Sequence, residues 1–242
     1  MKNSVKSTLS GVGLLETPEI KEFRGFTLAE VLITLVIIGV IAAMTIPTLM
    51  NNTNKQEYVS RLKKTYSVLS QVSNKILAEE GTPNVSKGGW AVDNDAVLNM
   101  YKKHLSKAKE CGIGENCFDT INHKGLLNNN TNNFINGTGW GQMALADGTL
   151  VQTHLYNSNC VSGQNADGDG LGHVCLYLHV DVNGQKGPNT WGIDAFRFYL
   201  TENGLYPTGC NYNNTNCANP AIGVMSGLAC TCTAIRDSAI NY

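Results

Sequence analysis

The strongest hydrophobic pattern in the chain is an apolar run from Phe26 to Met50 that contains a single charged side chain. The first proline of this run, Pro47, stands about twenty residues into it, which is roughly the length that an α-helix needs to cross a bilayer. A secretory signal peptide has a shorter apolar region, and a cleavage site follows it. The pattern therefore predicts a membrane-spanning helix over residues 26–47.

A second pattern, over residues 55–80, is that of an amphipathic helix. Apolar side chains recur there every three, four or seven positions, and basic side chains occupy the other faces. The apolar members are Tyr58, Leu62, Leu69, Val72 and Ile76, and the basic members are Lys55, Arg61, Lys63 and Lys64. Residues 26–80 are thus predicted to form one long helix with a kink at Pro47. Two helices joined by a linker are the alternative.

Residues 81–242 are predicted to form a globular head. Asp93 or Asn94 is the expected N-cap of a short helix, and residues 111–136 are expected to be mostly loop. From Trp140 onwards the pattern changes to strands, with Asp147 and Gly148 forming a hairpin turn.

The longest strand pattern is a strict alternation from Val174 to Val182, and a shorter alternation follows from Ala195 to Leu200. About four antiparallel strands packed on the amphipathic helix would bury both apolar surfaces. The expected fold class is α+β, with a small antiparallel sheet and a disulfide-rich C-terminal region. Beyond Pro207 the chain has too little apolar periodicity to predict a further core layer.

The eight cysteines all lie in the predicted head, which fits an oxidising compartment. Proximity favours the pairs Cys111–Cys117 and Cys160–Cys175. Cys210 and Cys217 would then pair with Cys230 and Cys232, in an order that the sequence leaves open. A zinc site is the alternative, but the spacing lacks the close Cys-x2-Cys pair that is typical of one.

The residues at the start of the apolar run form a short and distinctive motif. Gly25 is followed by Phe26, and Glu30 is the only charged residue as far as Met50. A lone carboxylate in an apolar span is costly in hydrocarbon, which indicates a functional role and a partner. The segment GFTLAE, preceded by Arg24, resembles the type IV pilin and type II secretion pseudopilin superfamily.

This resemblance implies a processing pathway. Residues 1–25 would be a leader that a prepilin peptidase removes after Gly25, and the new amino terminus, Phe26, would be N-methylated. Glu30 would be the assembly residue, and Pro47 would occupy the twenty-second place of the processed chain, where a proline recurs in the family. The partners would be other subunits of a filament and an assembly platform in the bacterial inner membrane. The N-terminus would be cytoplasmic and the head extracytoplasmic.

The charge of the chain excludes a strong electrostatic attraction to nucleic acid. Residues 1–25 hold four of the 18 basic and three of the 19 acidic residues, so the processed chain has 14 against 16 and a net charge of −2. A nearly neutral chain gives little sign of a basic nucleic-acid surface.

Two acidic loops are candidate calcium sites. The first offers oxygen ligands at Asn165, Asp167 and Asp169, in the spacing that begins an EF-hand loop but without its final glutamate. An ordinary glycine-rich turn is the alternative. The second loop offers Asp181, Asn183 and Asp194, in a stretch that resembles one found in many pilin-like proteins. There too an ordinary turn is the alternative.

No nucleophile, zinc-protease or phosphate-loop motif is present in the sequence, so catalysis is not expected. Two functions are left open. The first is a structural filament subunit, and the second is a minor or tip pilin that acts as an adhesin or in DNA uptake. Abundance separates them, because a filament body needs many copies and a tip needs few.

Overall fold

The computed structural model describes residues 25–105, 109–114, 122–127, 131–132, 139–161, 173–210, 217 and 226–242. The chain divides into two compact units, of which the first ends at Pro47 and the second spans residues 48–242. The helices are α1 Leu28–Glu80, α2 Asn94–His104 and α3 Thr231–Asp237. The strands are β1 Lys109–Ile113, β2 His123–Lys124, β3 Thr131–Asn132, β4 Gly141–Ala144, β5 Leu150–Leu155, β6 Val174–Asp181, β7 Ala195–Thr201 and β8 Gly204–Pro207.

Helix α1 contains Pro47 and remains helical through the asparagine-rich segment that follows it. The structure therefore has one helix rather than two helices with a linker. It begins two residues after Phe26, because Thr27 caps its first turn. A kink at Pro47 stays a prediction.

Within the second unit, the amphipathic part of α1 packs on the sheet through a stripe of buried side chains at helical spacing. Its apolar members are Tyr58, Val59, Leu62, Leu69 and Ile76. Two polar side chains, Thr65 and Ser73, interrupt the stripe, and the Ser73 hydroxyl forms a 2.8 Å hydrogen bond with Tyr101 of α2. A buried hydroxyl needs such a partner, so this bond fixes how α2 lies against α1.

Basic side chains on α1 that flank this stripe form ion pairs and hydrogen bonds with the head. Lys64 pairs with Asp147 at 2.8 Å, and Arg61 and Lys55 donate to the backbone carbonyls of Val182 and Ile240. Such contacts at the edge of the core contribute little energy individually, and the apolar stripe carries most of the stabilisation.

The main sheet has six antiparallel strands in the order β1-β4-β5-β6-β7-β8. The four central strands are those that the alternation predicts, and they form the antiparallel meander. The edge strands β1 and β8 are additional. Strand β1 lies in a stretch that was predicted to be loop, because it is short and a register shift at Gly112 interrupts its alternation.

The predicted alternation of β6 is wrong at its first two positions. The pairing with β7 shifts register between Val174 and Leu176, which indicates a β-bulge. Val174 consequently clusters with Tyr177 and Tyr199, while Cys175 joins the main core with Leu176. From Leu176 onwards, alternate side chains of β6 lie on opposite faces of the sheet, as predicted.

The C-terminal segment forms a covering layer, contrary to the prediction that it adds nothing to the core. Ala234 of α3 and Ile240 are buried in the main hydrophobic cluster. Thr231 is also buried, and its side-chain oxygen accepts from the backbone N–H of Arg197 at 3.1 Å. The prediction failed because α3 is only seven residues long, too short to show a periodic pattern.

Three disulfides join pairs of cysteines that both lie among the described residues, and two of them hold this C-terminal layer. The bonds are Cys160–Cys175, Cys210–Cys232 and Cys217–Cys230, which resolves the order that the sequence left open. Cys111 is also disulfide-bonded, and its predicted partner, Cys117, lies outside the described residues. In the part of the chain that the structure describes, no cysteine is free.

Candidate functional site

The residues around the predicted cleavage position form an accessible segment followed by a capped helix. Gly25 and Phe26 precede α1 and are exposed, and a Cβ built on Gly25 meets no atom within 4 Å. The bond between them therefore lies in irregular, uncovered backbone, which is the state that a peptidase needs.

Glu30 is held by a capping box at the start of α1. Its carboxylate accepts hydrogen bonds from the backbone N–H and the hydroxyl of Thr27, each at 2.8 Å. In return, the Thr27 hydroxyl oxygen accepts from the backbone N–H of Glu30 at 3.2 Å. This reciprocal arrangement satisfies N–H groups that the first helical turn would otherwise leave without partners. The carboxylate is thus tied to its own helix.

The side chains after Glu30 form an exposed apolar surface. The large hydrophobic residues between Val31 and Met50 are at least 42% exposed. The hydroxyls of Thr34 and Thr45 donate to the carbonyls of Val31 and Ile41, so these polar groups need no water. Among the described residues, α1 is the one helix long and apolar enough to cross a membrane. The chain is membrane-anchored through this segment.

The second acidic loop connects β6 to β7, and its carboxylates accept hydrogen bonds inside the protein. Asp194 accepts from the backbone N–H groups of Asn189 and Thr190 at 2.8 and 2.6 Å. Asp181 is bonded to His123 Nε2 at 2.9 Å, and it also accepts from the backbone of Asn183. Both carboxylates thus order the connection in which they lie.

Burial changes the protonation of these two acids. The pKa of Asp194 is raised to about 7, chiefly by burial and also by the nearby Asp181 carboxylate, while the bonds from Thr190 and Asn189 oppose the rise. Burial likewise raises the pKa of Asp181 well above its usual range. Calcium coordination by this loop stays a prediction, and the buried Asn183 Oδ1, which has no hydrogen-bond partner, is the atom that favours it. The first acidic loop lies outside the described residues.

A polar and aromatic layer lies on the sheet face opposite α1. His179 is fully buried, with Nδ1 at 3.0 Å from Gln152 Oε1 and Nε2 accepting from Arg197 Nε at 2.9 Å. These bonds require a neutral ring with the proton on Nδ1. Burial lowers the pKa of His179 well below its usual value, and the Arg197 charge lowers it further. Both nitrogens are occupied, so His179 is not a metal ligand here.

His154 lies at the edge of the same layer. Its ring stacks on Trp140 with centroids 4.1 Å apart, and its Nδ1 is buried without a hydrogen-bond partner. Burial lowers the pKa of His154 to about 4, with Arg197 adding to the effect. His173, which stands near the same strands in the sequence, is exposed.

Sequence reasoning missed the capping box, although a local signal for it was present. Thr27 stands three residues before Glu30 at the start of an apolar run, which is the Ser/Thr-x-x-Glu signature of a helix N-terminus. The His123–Asp181 bond had no such signal, because the two residues are 58 positions apart.

Comparison with known proteins gives one positive finding, and it falls on this amino-terminal segment. Residues 20–46 match the family model described as the prokaryotic N-terminal methylation motif. No curated protein and no solved structure gives a significant match to the chain. The matched residues include Gly25, Phe26, Glu30 and the first part of the exposed apolar helix. The chain therefore carries the prokaryotic N-terminal methylation motif, which is the signature of the type IV pilins and pseudopilins.

Proposed function

We propose that this protein is a structural subunit, a pilin or pseudopilin, of a type IV pilus or a type II secretion filament. A prepilin peptidase cleaves it between Gly25 and Phe26, and Phe26 is N-methylated. The observation that carries the proposal is the capped Glu30 carboxylate at the start of an uncovered apolar helix, inside the matched motif. The N-terminus lies on the cytoplasmic side of the inner membrane and the head on the extracytoplasmic side.

Glu30 acts in assembly through a change of partner. In the isolated subunit, Thr27 satisfies its carboxylate. In the filament, the carboxylate meets the positively charged amino terminus of a neighbouring Phe26, and two charges that are each costly in a low dielectric become tolerable as a pair. Cleavage must come first, because the nitrogen of Phe26 is an uncharged amide in the uncleaved chain.

This pairing also fixes the stagger of the subunits, since only one offset brings Glu30 and the neighbouring amino terminus together. Small residues in the same span, Gly39, Ala42 and Ala43, permit apolar helices to approach closely. A Cβ built on Gly39 meets no atom within 4 Å, so this position is open to a neighbouring helix. The partners are other subunits and the inner-membrane assembly platform.

The test replaces Glu30 in the native cell. We expect Glu30→Gln to give a processed, membrane-resident protein that is absent from sheared filaments, because the neutral side chain cannot pair with an ammonium group. Glu57→Gln is the matched control, since Glu57 lies on the same helix and pairs only with Arg61 at the surface. Normal incorporation of the Glu30→Gln protein would contradict the proposal.

A further inference from the structure

The C-terminal ends of α1 and α2 meet in a cluster of three side chains that the filament function does not use. Glu79 and Glu80 are the last two residues of α1, and His104 is the last residue of α2. One potential ligand atom from each of these residues lies within 4.8 Å of the other two. Among the described residues, this is the one such group of histidine, cysteine or acidic side chains.

Both carboxylates attract cations at this position, since Lys103 lies 2.5 Å from Glu80 and Lys75 lies 3.8 Å from Glu79. The C-terminal end of a helix carries a partial negative charge, which favours basic side chains in the last turn. Helix α1 has no basic residue in its last turn and instead ends on two glutamates. The end of α2 adds a second partial negative charge, which the basic side chains of its own last turn, Lys102 and Lys103, oppose. A metal ion between the two helix ends would take the place of Lys103 beside the carboxylates.

His104 provides a second, independent observation. Its side chain is 3% exposed, and its Nε2 atom is buried without a hydrogen-bond partner. Nε2 lies 3.6 Å from Glu80 Oε1, and Nδ1 lies 3.7 Å from Glu79 Oε2. Both distances are longer than a hydrogen bond, for which the nitrogen and oxygen lie about 2.7–3.2 Å apart.

The 3.6 Å distance between His104 Nε2 and Glu80 Oε1 suits two ligands of one metal ion. Zinc lies about 2.0–2.2 Å from imidazole nitrogen and carboxylate oxygen, so neighbouring ligands on a tetrahedral zinc are roughly 3.4 Å apart. Small side-chain rotations would bring the cluster to that spacing, and the Glu79 side chain is 51% exposed and able to make them.

We propose that Glu79, Glu80 and His104 form a binding site for a divalent transition-metal ion such as Zn²⁺. His104 Nε2 and one oxygen of each glutamate are the ligands, and a water molecule completes the tetrahedral shell, as in other three-ligand zinc sites. The bound ion would join the end of α2 to the end of α1. This inference does not depend on filament assembly.

Lys103 would compete with a metal ion for the Glu80 carboxylate. Its ammonium group lies 2.5 Å from Glu80 Oε1, and it holds the pKa of the Glu80 carboxyl below its usual range. The Lys103 side chain is 62% exposed, so it is free to move into solvent when a metal binds. Removing its charge should strengthen metal binding, whereas removing a ligand should weaken it.

The experiment titrates Zn²⁺ into the purified full-length chain in detergent, with its disulfides intact, and follows binding by calorimetry. We expect one zinc per chain, with Glu79→Gln, Glu80→Gln and His104→Gln each weakening binding at least tenfold. Lys103→Met should strengthen it several-fold. His173→Gln is the matched control, because His173 is exposed and outside the cluster, and it should bind as the wild type does.

The Lys103→Met variant keeps the test decisive if a ligand variant unfolds, because it leaves all three ligands in place. The proposal is overturned if the wild-type chain binds no zinc at millimolar concentration. It is equally overturned if a folded His104→Gln protein binds zinc as tightly as the wild type, or if Lys103→Met leaves the affinity unchanged.

Discussion

At the scale of single residues, Thr27 is the side chain that decides how Glu30 is presented. Its hydroxyl and its backbone N–H both donate to the Glu30 carboxylate. An acid in an apolar span is thereby kept satisfied before any neighbouring subunit arrives. The first turn of α1 is consequently part of the functional site as well as the start of a helix.

The capping box is open to a direct test on the processed chain in micelles. We expect Thr27→Val to speed hydrogen exchange of the Glu30 amide about fivefold to tenfold, because loss of an N-cap costs about 1 kcal/mol. Thr27→Ser retains the hydroxyl and should exchange like the wild type. Equal exchange rates in all three proteins would show that the box does not form.

His154 is expected to make the head sensitive to acid. Because its folded pKa is depressed to about 4, the unfolded chain binds more protons between pH 6.5 and 4, and stability falls as the pH falls through that range. His154→Gln should reduce this loss by about 1–2 kcal/mol, after allowance for the solvent exposure of the ring. Chemical denaturation at several pH values measures the effect.

The control for this prediction is His173→Gln, since His173 is exposed in the same region. It should leave the pH dependence as it is in the wild type. An unchanged acid slope in His154→Gln would show that this ring is not held neutral.

At the scale of elements, the β6–β7 connection depends on Asp194. This side chain accepts from two backbone N–H groups, and it is buried. Asp194→Ala leaves both donors without a partner and should lower the free energy of unfolding by about 2–4 kcal/mol. Asp237→Ala, at an exposed pair with Arg236, should leave it almost unchanged. Equal effects of the two variants in urea denaturation would refute the assignment.

The Cys160–Cys175 disulfide joins the chain after β5 to the start of β6, and it closes a loop of 15 residues. The double variant Cys160→Ala, Cys175→Ala should lower the free energy of unfolding by about 3 kcal/mol, because the unfolded chain gains conformational freedom. Urea denaturation of the oxidised proteins checks this value. A double variant as stable as the wild type would show that the bond does not constrain the unfolded chain.

The elements that the sequence predicts well are those with long, regular patterns. The stripe of α1 and the four central strands show three to five repeats of their period, so local pattern was enough to predict them. Strands β1 and β8 and helix α3 are too short for this. They exist because longer elements provide surfaces on which they pack, which is tertiary information.

The candidate sites also differ in whether a local sequence pattern predicts them. Gly25, Phe26 and Glu30 form a contiguous motif, so sequence alone predicted them. The cluster of Glu79, Glu80 and His104 joins two helix ends that are more than twenty positions apart, so no local pattern in the sequence indicates it. Only the packing of α2 on α1 brings the imidazole to the two carboxylates.

At the scale of the whole molecule, the chain combines two units whose surfaces suit different surroundings. The first unit carries an exposed apolar helix, and the second has a buried hydrophobic core. The exposed surface of the first unit needs lipid or other helices, because contiguous apolar patches of this size are rare on soluble monomers. The proposed function therefore depends first on cleavage at the start of that helix.

The most direct test of this account is the amino terminus of the mature protein. Intact-mass and tandem mass spectrometry of the membrane fraction should find a chain that begins with N-methylated Phe26. A chain that begins at Met1, in cells whose prepilin peptidase is active, would contradict the proposed processing and assembly.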